Sequence, residues 1–194
     1  MSDFQDVLRR RRMVRNFTPE PVPEDVVARL VDNARRGPSA GFTQGVELLV
    51  LNGPDETARY WDVSLPAPER RDFPWPGLLR APLLIVPWAS PRAYRDRYAL
   101  PDKASAPRGW DVPYWHVDAG FAALLALLSA VDAGLGALFF RVFRPGEVRA
   151  AFGVPADFEP VGAVAVGHPA PDRPSASLGR GRRPAAEVVH RGRW

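Results

Sequence analysis

The sequence predicts one domain of the α+β class. Helical and strand patterns follow one another along its 194 residues without the strict strand–helix–strand alternation of a parallel sheet. No stretch has the composition of a long linker, and 46% of the residues are hydrophobic, so the chain can bury a sizeable core. We therefore expect a single domain that spans residues 1–194.

The first part of the chain predicts two helices separated by an extended crossing. Ser2 can cap a first helix that runs to about Arg12, because apolar residues recur there at helical intervals. The segment Met13–Phe17 then has an extended pattern. A proline in the first turn and an apolar stripe predict the second helix, Pro23–Arg36, which Gly37 would end.

The middle of the chain predicts strands bordered by loops. Pro38–Gly45 is a loop, since proline, serine and glycine are frequent in it. Val46–Leu51 is an almost continuous apolar run, which predicts a central strand covered on both faces. We predict a short helix at Asp55–Trp61, followed by a loop or broken helix at Ser64–Gly77. A second strand is predicted at Leu83–Trp88 and another short helix at Pro91–Tyr98.

The second half contains the longest predicted helix, Tyr114–Ala133, after an irregular segment, Ala99–Pro113. Between Phe121 and Val131 this helix is apolar on every side, so both faces must be buried, whereas a single sheet covers only one. Something else, such as a second subunit, would cover the other face. Beyond Gly134-Leu135-Gly136 we expect a strand or turn at Ala137–Val142 and a short helix at Pro145–Phe152. A strand is predicted at Pro160–Val166, and an arginine-rich tail from Pro169 onward.

Composition excludes several kinds of chemistry. With no cysteine, the chain has no disulfide, thiolate nucleophile or cysteine-held metal centre. Its three histidines are far apart in sequence, so we predict no metal site. The start of the chain has no apolar core after its charges. The most apolar run, Ala119–Val131, is shorter than the roughly 20 residues that cross a bilayer. We therefore predict a cytoplasmic protein without a membrane partner.

The basic residues are nearly all arginine. Of 26, only Lys103 is lysine, and the net charge is +4. A GC-rich genome would produce this bias without any function, whereas an anion site would use the guanidinium fork, which matches phosphate. Arg11 and Arg15 could converge on one anion; a solvated helix end and a nucleic-acid patch are the alternatives. The run Arg180–Pro184 is either a flexible basic end or a phosphate clamp.

Two glycine-bearing loops could approach a planar ligand closely: Pro38–Gln44 and Gly134–Arg141. The second is not a dinucleotide-binding fingerprint, because its glycines end a helix instead of opening one. No serine–histidine–acid set has a nucleophile elbow. Asp118 lies within the apolar helix, where a structural hydrogen bond is the expected role.

The order of these segments resembles the FMN-dependent nitroreductase family along almost the whole chain. The resemblance is carried by RRRRMVRNF, PSAGFTQGVELLVL, DAGLGALFF, FGVP with EPVGAVAVGHP, and GRGRRP. It implies an α+β nitroreductase-like fold, with a central mixed or antiparallel sheet flanked by helices. It also implies an intertwined homodimer whose C-terminal extensions, about residues 170–194 here, reach onto the partner. Each of two FMN molecules would then contact both chains.

The resemblance further implies which residues contact FMN. Arg11 and Arg15 match phosphate and ribityl contacts, and the tail supplies a second basic pair. The full set is Arg11, Arg12, Met13, Arg15, Pro38, Ser39, Ala40, Phe42, Gln44, Phe139, Phe140, Arg141, Arg180 and Arg182. Gly45-Val46 stands where many members have Pro-Trp. Three further departures concern the flavin contacts: Met13 replaces a frequent serine, Val142 replaces a frequent glycine, and Phe42 replaces a common asparagine, so that an aromatic wall takes the place of a side-chain amide.

These implications predict a flavoprotein oxidoreductase. It would pass hydride from a reduced nicotinamide donor through FMN to a small organic acceptor, such as a nitroaromatic, a quinone or a specialised metabolite. Since the flavin performs the difficult step, no catalytic acid, base or thiol is required of the protein. Two tryptophan-rich segments, Trp61–Trp75 and Trp110–Trp115, would shape the entrance. The alternatives are a flavin-sequestering protein without turnover and an arginine-driven nucleic-acid binder.

Overall fold

One antiparallel sheet organises the fold and confirms the α+β class. The computed structural model describes residues 3–106, 109–173 and 175–194. Its strands are β1 Val46–Asn52, β2 Leu83–Ala89, β3 Gly136–Phe140, β4 Glu159–Pro160 and β5 Ala163–Gly167. They lie in the order β1-β2-β5-β3, with β4 paired to β2, and all of these pairings are antiparallel.

The α-helices surround this sheet. They are α1 Phe4–Arg10, α2 Glu24–Ala34, α3 Pro54–Ser64, α4 Ala67–Arg70, α5 Pro91–Tyr98, α6 Tyr114–Asp132, α7 Pro145–Phe152 and α8 Ala185–Val188. Short 3-10 turns lie at Ala40–Phe42, Pro76–Arg80, Pro101–Lys103 and Ala176–Arg180.

The helix boundaries follow local signals. Both α5 and α7 begin at a proline and match the predicted ranges residue for residue, because proline in the first turn lacks only a donor that the helix does not use. Helix α1 is capped by Asp3, whose carboxylate accepts from the Gln5 amide at 3.3 Å. It ends at Arg10, two residues earlier than predicted. The predicted cap Ser2 lies outside the described residues.

Strand β2, and not β1, occupies the interior of the sheet. All seven residues of β2 are buried, and the strand pairs with β1 on one side and β5 on the other. Strand β1 lies at the edge and buries only Leu51 fully. The prediction of a central strand at Val46–Leu51 is therefore wrong. A continuous apolar run does not distinguish a central strand from an edge strand whose faces are each partly covered.

The sheet has a hydrophobic layer on each face. Alternate residues of β2 separate into the two layers: Leu84 and Val86 face the layer of α3 and α7, and Leu83 and Ile85 face that of α2 and α6. The sheet thus positions α6 against one face.

Helix α6 is the longest described element, with 19 residues. By length and composition alone it could cross a membrane. In the fold it contacts α2 and strands of the sheet through small residues such as Ala122, Ala123 and Ala126, which are buried. Its opposite side stays open in the single chain, where Phe121 is 38% and Leu124 46% exposed. The predicted burial of both faces of α6 is thus not achieved within one chain.

The extended crossing Met13–Phe17 is confirmed and continues the sheet beyond β3. Met13 forms a parallel bridge to Ala137, and the Val14 amide donates to the Ala137 carbonyl at 3.0 Å. Phe17 forms an antiparallel bridge to Pro169. The arginine-rich N-terminal segment is therefore fixed at the β3 edge of the sheet.

Candidate functional site

The Pro38–Gln44 loop is fastened to α6 by a buried carboxylate. Asp118 is 6% exposed, and its Oδ2 accepts from the Ala40 amide at 2.8 Å. The Tyr94 hydroxyl, from α5, donates to the same oxygen at 2.6 Å. This confirms the structural hydrogen bond predicted for Asp118. The carboxylate holds three separate segments of the chain in one arrangement.

Burial, reinforced by the neighbouring Asp118 carboxylate, raises the pKa of Tyr94 far above its ordinary value. The hydroxyl is therefore protonated at neutral pH and acts as the donor to Asp118. We refer to Asp118, Tyr94 and Ala40 as the loop clamp.

The backbone of this loop is strained. Gly41, Phe42 and Gln44 have φ angles of 62°, 52° and 54°, in the left-handed region that side chains other than glycine adopt at a cost. A Cβ atom at Gly41 would lie 2.7 Å from Cε2 of Tyr98, so only glycine fits there. Phe42 is 76% exposed. The predicted aromatic wall thus projects from a loop held in an unusual conformation.

Arg97, on α5, holds the same loop at the next residue, Gly41. Its Nε donates to the Gly41 carbonyl at 2.9 Å, while Nη1 and Nη2 donate to the Asp102 carboxylate at 2.8 and 2.7 Å. The guanidinium hydrogen bond lowers the pKa of Asp102, so this acid stays charged. A single side chain therefore ties the loop to the segment that follows α5.

The predicted N-terminal arginines lie where α1 ends. Arg11 is the C-terminal cap of α1, half-buried, and Arg12 is exposed. Neither side chain has an ion pair or hydrogen bond among the described residues. The chain is extended from Arg11 onward, so Arg11, Met13 and Arg15 share one side of the crossing, because alternate residues of an extended segment do.

Arg15 is more constrained than Arg11. Its amide donates to the Asp172 carboxylate at 2.7 Å, and its Nη1 to the Met13 carbonyl at 3.3 Å. The guanidinium carbons of Arg15 and Arg173 lie 5.1 and 5.9 Å from the centre of the Trp75 ring. The beginning of the tail is thereby packed beside the N-terminal arginine segment.

The predicted residues at the end of β3 face different surroundings. Phe140 is half-buried and stacks on Trp61, with ring centroids 5.5 Å apart and planes at 20°. Its side chain belongs to the core, so a ligand contact there would use the backbone. Phe139 is 36% exposed. Arg141 is exposed, with its guanidinium carbon 5.4 Å from the Phe143 ring centre.

The predicted site residues form two separate groups in one chain. The N-terminal arginines and the Phe139–Arg141 segment lie at the β3 edge, because Met13 bridges to β3. The Pro38–Gln44 loop leads into β1, at the opposite edge, with β2 and β5 between. A single chain therefore does not enclose one ligand with both groups.

The tail residues Arg180 and Arg182 are exposed. Within the described part of the chain, the hydrogen bonds and ion pairs of residues 175–194 stay inside that segment, as in the pairing of Arg183 with Glu187. Arg180 and Arg182 are therefore not brought to Arg11 and Arg15 by any such contact. Apolar side chains in the tail are also open, with Leu178 71% exposed.

Two cavities border the Pro38–Gln44 loop. One, of about 210 Å³, lies between β1 and α6, and its lining includes Pro38, Ser39, Gln44 and Asp118. The other, of about 930 Å³, has Ala40 and Trp110 in its lining. Trp110 thus lines a cavity beside the loop, and its role at an entrance stays a prediction. Trp61 is 2% exposed within the core, so the prediction that it shapes an entrance is wrong.

Sequence reasoning missed the residues that support the loop. An aspartate inside an apolar helix indicated a buried hydrogen bond at Asp118, but no local signal marked Tyr94 as its partner or Arg97 as a contact of the loop. Trp75 was predicted only as part of an entrance, whereas its ring lies against the guanidinium groups of Arg15 and Arg173. Pairing across 24 residues, in the case of Tyr94 and Asp118, depends on how the helices pack.

Comparison with known proteins gives a consistent result. The model of the nitroreductase family matches residues 8–168. Among solved structures, a nitroreductase family protein from Clostridium difficile 630 is similar over 100% of both chains, with 20% identity and a TM-score of 0.73.

Two further structures share the fold. A protein from Desulfovibrio desulfuricans in complex with FMN covers 100% of this chain and 99% of its own, with 22% identity and a TM-score of 0.72. An enone reductase of gut-bacterial fatty acid saturation covers 99% of each chain, with 18% identity and a TM-score of 0.76.

Proposed function

The chain belongs to the nitroreductase family, and on that premise we propose that it is an FMN-dependent oxidoreductase. It would take hydride from a reduced nicotinamide and pass it to a small organic acceptor. The observation that carries the proposal is the family match over residues 8–168, which spans both groups of predicted site residues within the core fold. A structural neighbour that contains FMN supports the choice of cofactor.

The chemistry of the N-terminal arginines fits the phosphate end of FMN. Arg11 and Arg12 have no anionic partner among the described residues, and Arg15 lies on the same side of the crossing as Arg11. A planar guanidinium presents paired donors that match phosphate oxygens. We propose that Arg11 and Arg15 hold the phosphate, with Arg12 adding positive charge beside them.

The Pro38–Gln44 loop is suited to line a flat ring system. The loop clamp and Arg97 fix its backbone at two successive residues, Ala40 and Gly41, so it would orient a ligand without first having to become ordered. FMN, when bound, supplies the hydride chemistry itself. The role of these residues is to orient the ring and to keep water from one of its faces. At the β3 end, Phe139, Phe140 and Arg141 would contribute mainly backbone groups.

A homodimer would unite the two groups of site residues. Phe121 and Leu124 on α6 form an exposed apolar strip, and Phe4 and Leu8 on α1 are 62% and 40% exposed. The 210 Å³ cavity is also smaller than the roughly 300–1,000 Å³ typical of cofactor sites, which indicates that one chain supplies only part of the wall. We propose that a second copy covers α6 and receives the tail, including Arg180 and Arg182.

The three departures from the family pattern alter contacts without removing the cradle. Met13 contributes a backbone carbonyl to Arg15 but no hydroxyl, and Phe42 offers an exposed ring in place of an amide. Val142 is buried in the core. These positions would affect the choice of acceptor and the rate of flavin reduction more than the binding of the FMN phosphate. The cytoplasm stays the predicted location.

The purified protein tests this proposal directly. We expect flavin absorbance in a stoichiometric holoprotein, bleaching of that absorbance by NADH or NADPH without oxygen, and its return when a quinone or nitroaromatic is added. A colourless protein that does not take up FMN would overturn the proposal. Stable flavin that no nicotinamide bleaches, or no acceptor reoxidises, would instead favour sequestration without turnover.

A further inference from the structure

A cavity of the described chain adjoins the proposed flavin loop without belonging to it. Its volume is about 930 Å³, within the range of sites that bind small organic molecules. Ala40 lines it at one side, and the rest of the lining comes from the end of α5 and from residues before and at the start of α6. A molecule in this cavity would therefore lie beside the loop that we assign to the flavin ring.

The walls of the cavity are aromatic and mutually braced. Tyr98, Trp110 and Tyr114 all line it. The rings of Tyr98 and Trp110 meet edge to face, with centroids 4.7 Å apart and planes at 69°, and those of Trp110 and Tyr114 are 6.2 Å apart at 67°. Such contacts hold aromatic rings in fixed orientations. The cavity therefore offers flat apolar surfaces to a planar ligand.

The charges of the cavity are unbalanced toward positive. Among the described residues, Arg95 and Lys103 line it together with one acid, Asp111. The Lys103 Nζ lies 5.3 Å from the centre of the Tyr98 ring. Arg95 has no carboxylate partner among the described residues. The nearby Asp102 carboxylate is already matched by Arg97, so it does not offset the excess.

We propose that this cavity binds planar conjugated acceptors that carry a carboxylate. The ring would lie against Tyr98 and Trp110, and the carboxylate would be held by Arg95 and Lys103. The inference rests on the proposed FMN-dependent function. A molecule bound in the cavity would be the electron acceptor because the cavity borders the loop that we assign to the flavin ring. Reduction of a nitro group illustrates the balance: one reduced nicotinamide and one proton convert it to a nitroso group, oxidised nicotinamide and water.

Lys103 allows a binding test that needs no turnover. It is the only lysine in the chain, so its acylation by acetic anhydride can be followed by peptide mass spectrometry. Benzoate and its neutral isostere benzamide serve as probes on the holoprotein. At ten times its Kd, benzoate should slow acylation about tenfold by mass action, and benzamide at the same concentration much less. Equal protection by both probes, or none at millimolar benzoate, would overturn the proposal.

A kinetic comparison tests the role of Arg95. We expect kcat/KM for 4-nitrobenzoate to exceed that for 4-nitrobenzamide by about tenfold, as one charge-assisted contact would produce. Arg95→Gln should abolish this preference through KM, and Arg95→Lys should restore most of it. Arg29→Gln is the matched control, because Arg29 is exposed on α2 and has no ion pair among the described residues.

The two proposals fail in different ways. Absent FMN uptake, or absent turnover with both acceptors, would count against the oxidoreductase function, and benzoate protection of Lys103 would still decide whether the cavity takes a carboxylate. Turnover with the same selectivity in the wild type and in Arg95→Gln would leave the oxidoreductase function intact and overturn the assignment of the cavity.

Discussion

Removing the Tyr94 hydroxyl tests whether the loop clamp stabilises the fold. Tyr94→Phe keeps the ring but deletes the donor at 2.6 Å from the Asp118 Oδ2. The buried carboxylate then retains the Ala40 amide as its hydrogen-bond donor among the described residues. A hydrogen bond to a charged group contributes about 1.5–3 kcal/mol, so we expect a loss of about 2 kcal/mol in the free energy of unfolding.

Tyr60→Phe provides a matched control. Tyr60 and Tyr94 are both fully buried tyrosines, but the Tyr60 hydroxyl has no hydrogen-bond partner in the described structure. Removing an unpaired buried hydroxyl should therefore change the stability little or raise it slightly. The comparison separates the loss of a polar contact from the general effect of changing a buried tyrosine.

Urea unfolding of both variants at one fixed protein concentration measures the difference. Hydrogen exchange of the Ala40 amide gives a local readout, because Tyr94→Phe should accelerate it and Tyr60→Phe should not. If Tyr94→Phe proves as mild as Tyr60→Phe and leaves the Ala40 amide protected, the loop does not depend on the clamp, and the reasoning is refuted.

Four further outcomes are expected. Arg11→Ala or Arg15→Ala should weaken FMN retention about tenfold or more, the effect of one charge-assisted contact, while the apoprotein stays folded; unchanged affinity in titrations would favour the solvated-helix interpretation. Light scattering should give the mass of a dimer, because we expect an obligate interface of more than about 2,000 Å². Leu124→Glu should dissociate this dimer, and a wild-type monomer at micromolar concentration would contradict the prediction. Residues 179–185 should gain hydrogen-exchange protection when FMN binds, whereas unchanged exchange would exclude the tail from the site. Burial raises the pKa of Tyr60 to about 12, so unfolding should become easier as pH rises from about 10 to 12, and Tyr60→Phe should reduce that slope in urea titrations; an unaltered slope would assign the alkaline loss to other groups.

Local signals in the sequence were sufficient for most elements. The predicted ranges of α5 and α7 match the observed helices, and an apolar stripe predicted α2 and a long apolar run predicted α6 to within two residues. The glycine-bearing loop and the arginine segment were also recognisable, because their composition differs from that of the core. These signals act over one or two turns, and such short spacings are the same in any fold.

Positions within the sheet needed the tertiary structure. The run Val46–Leu51 has the composition of a central strand, yet β1 forms the edge and β2 the interior. Trp61 was expected at an entrance and Phe140 at the flavin, yet their rings stack together in the core. An apolar side chain is equally compatible with a core, an interface or a ligand wall, and only its neighbours distinguish these surroundings.

The sequence by itself determined the class of fold, the family resemblance and the residue types that would meet a flavin phosphate. The tertiary structure decided which of them share a surface: it placed the arginine segment at the β3 edge and the Pro38–Gln44 loop beside the other edge. It also joined Ala40 to Asp118, 78 residues away, and Gly41 to Arg97. The physical reason is that helix and strand formation depends on near neighbours, whereas these contacts arise only when distant segments pack against one sheet.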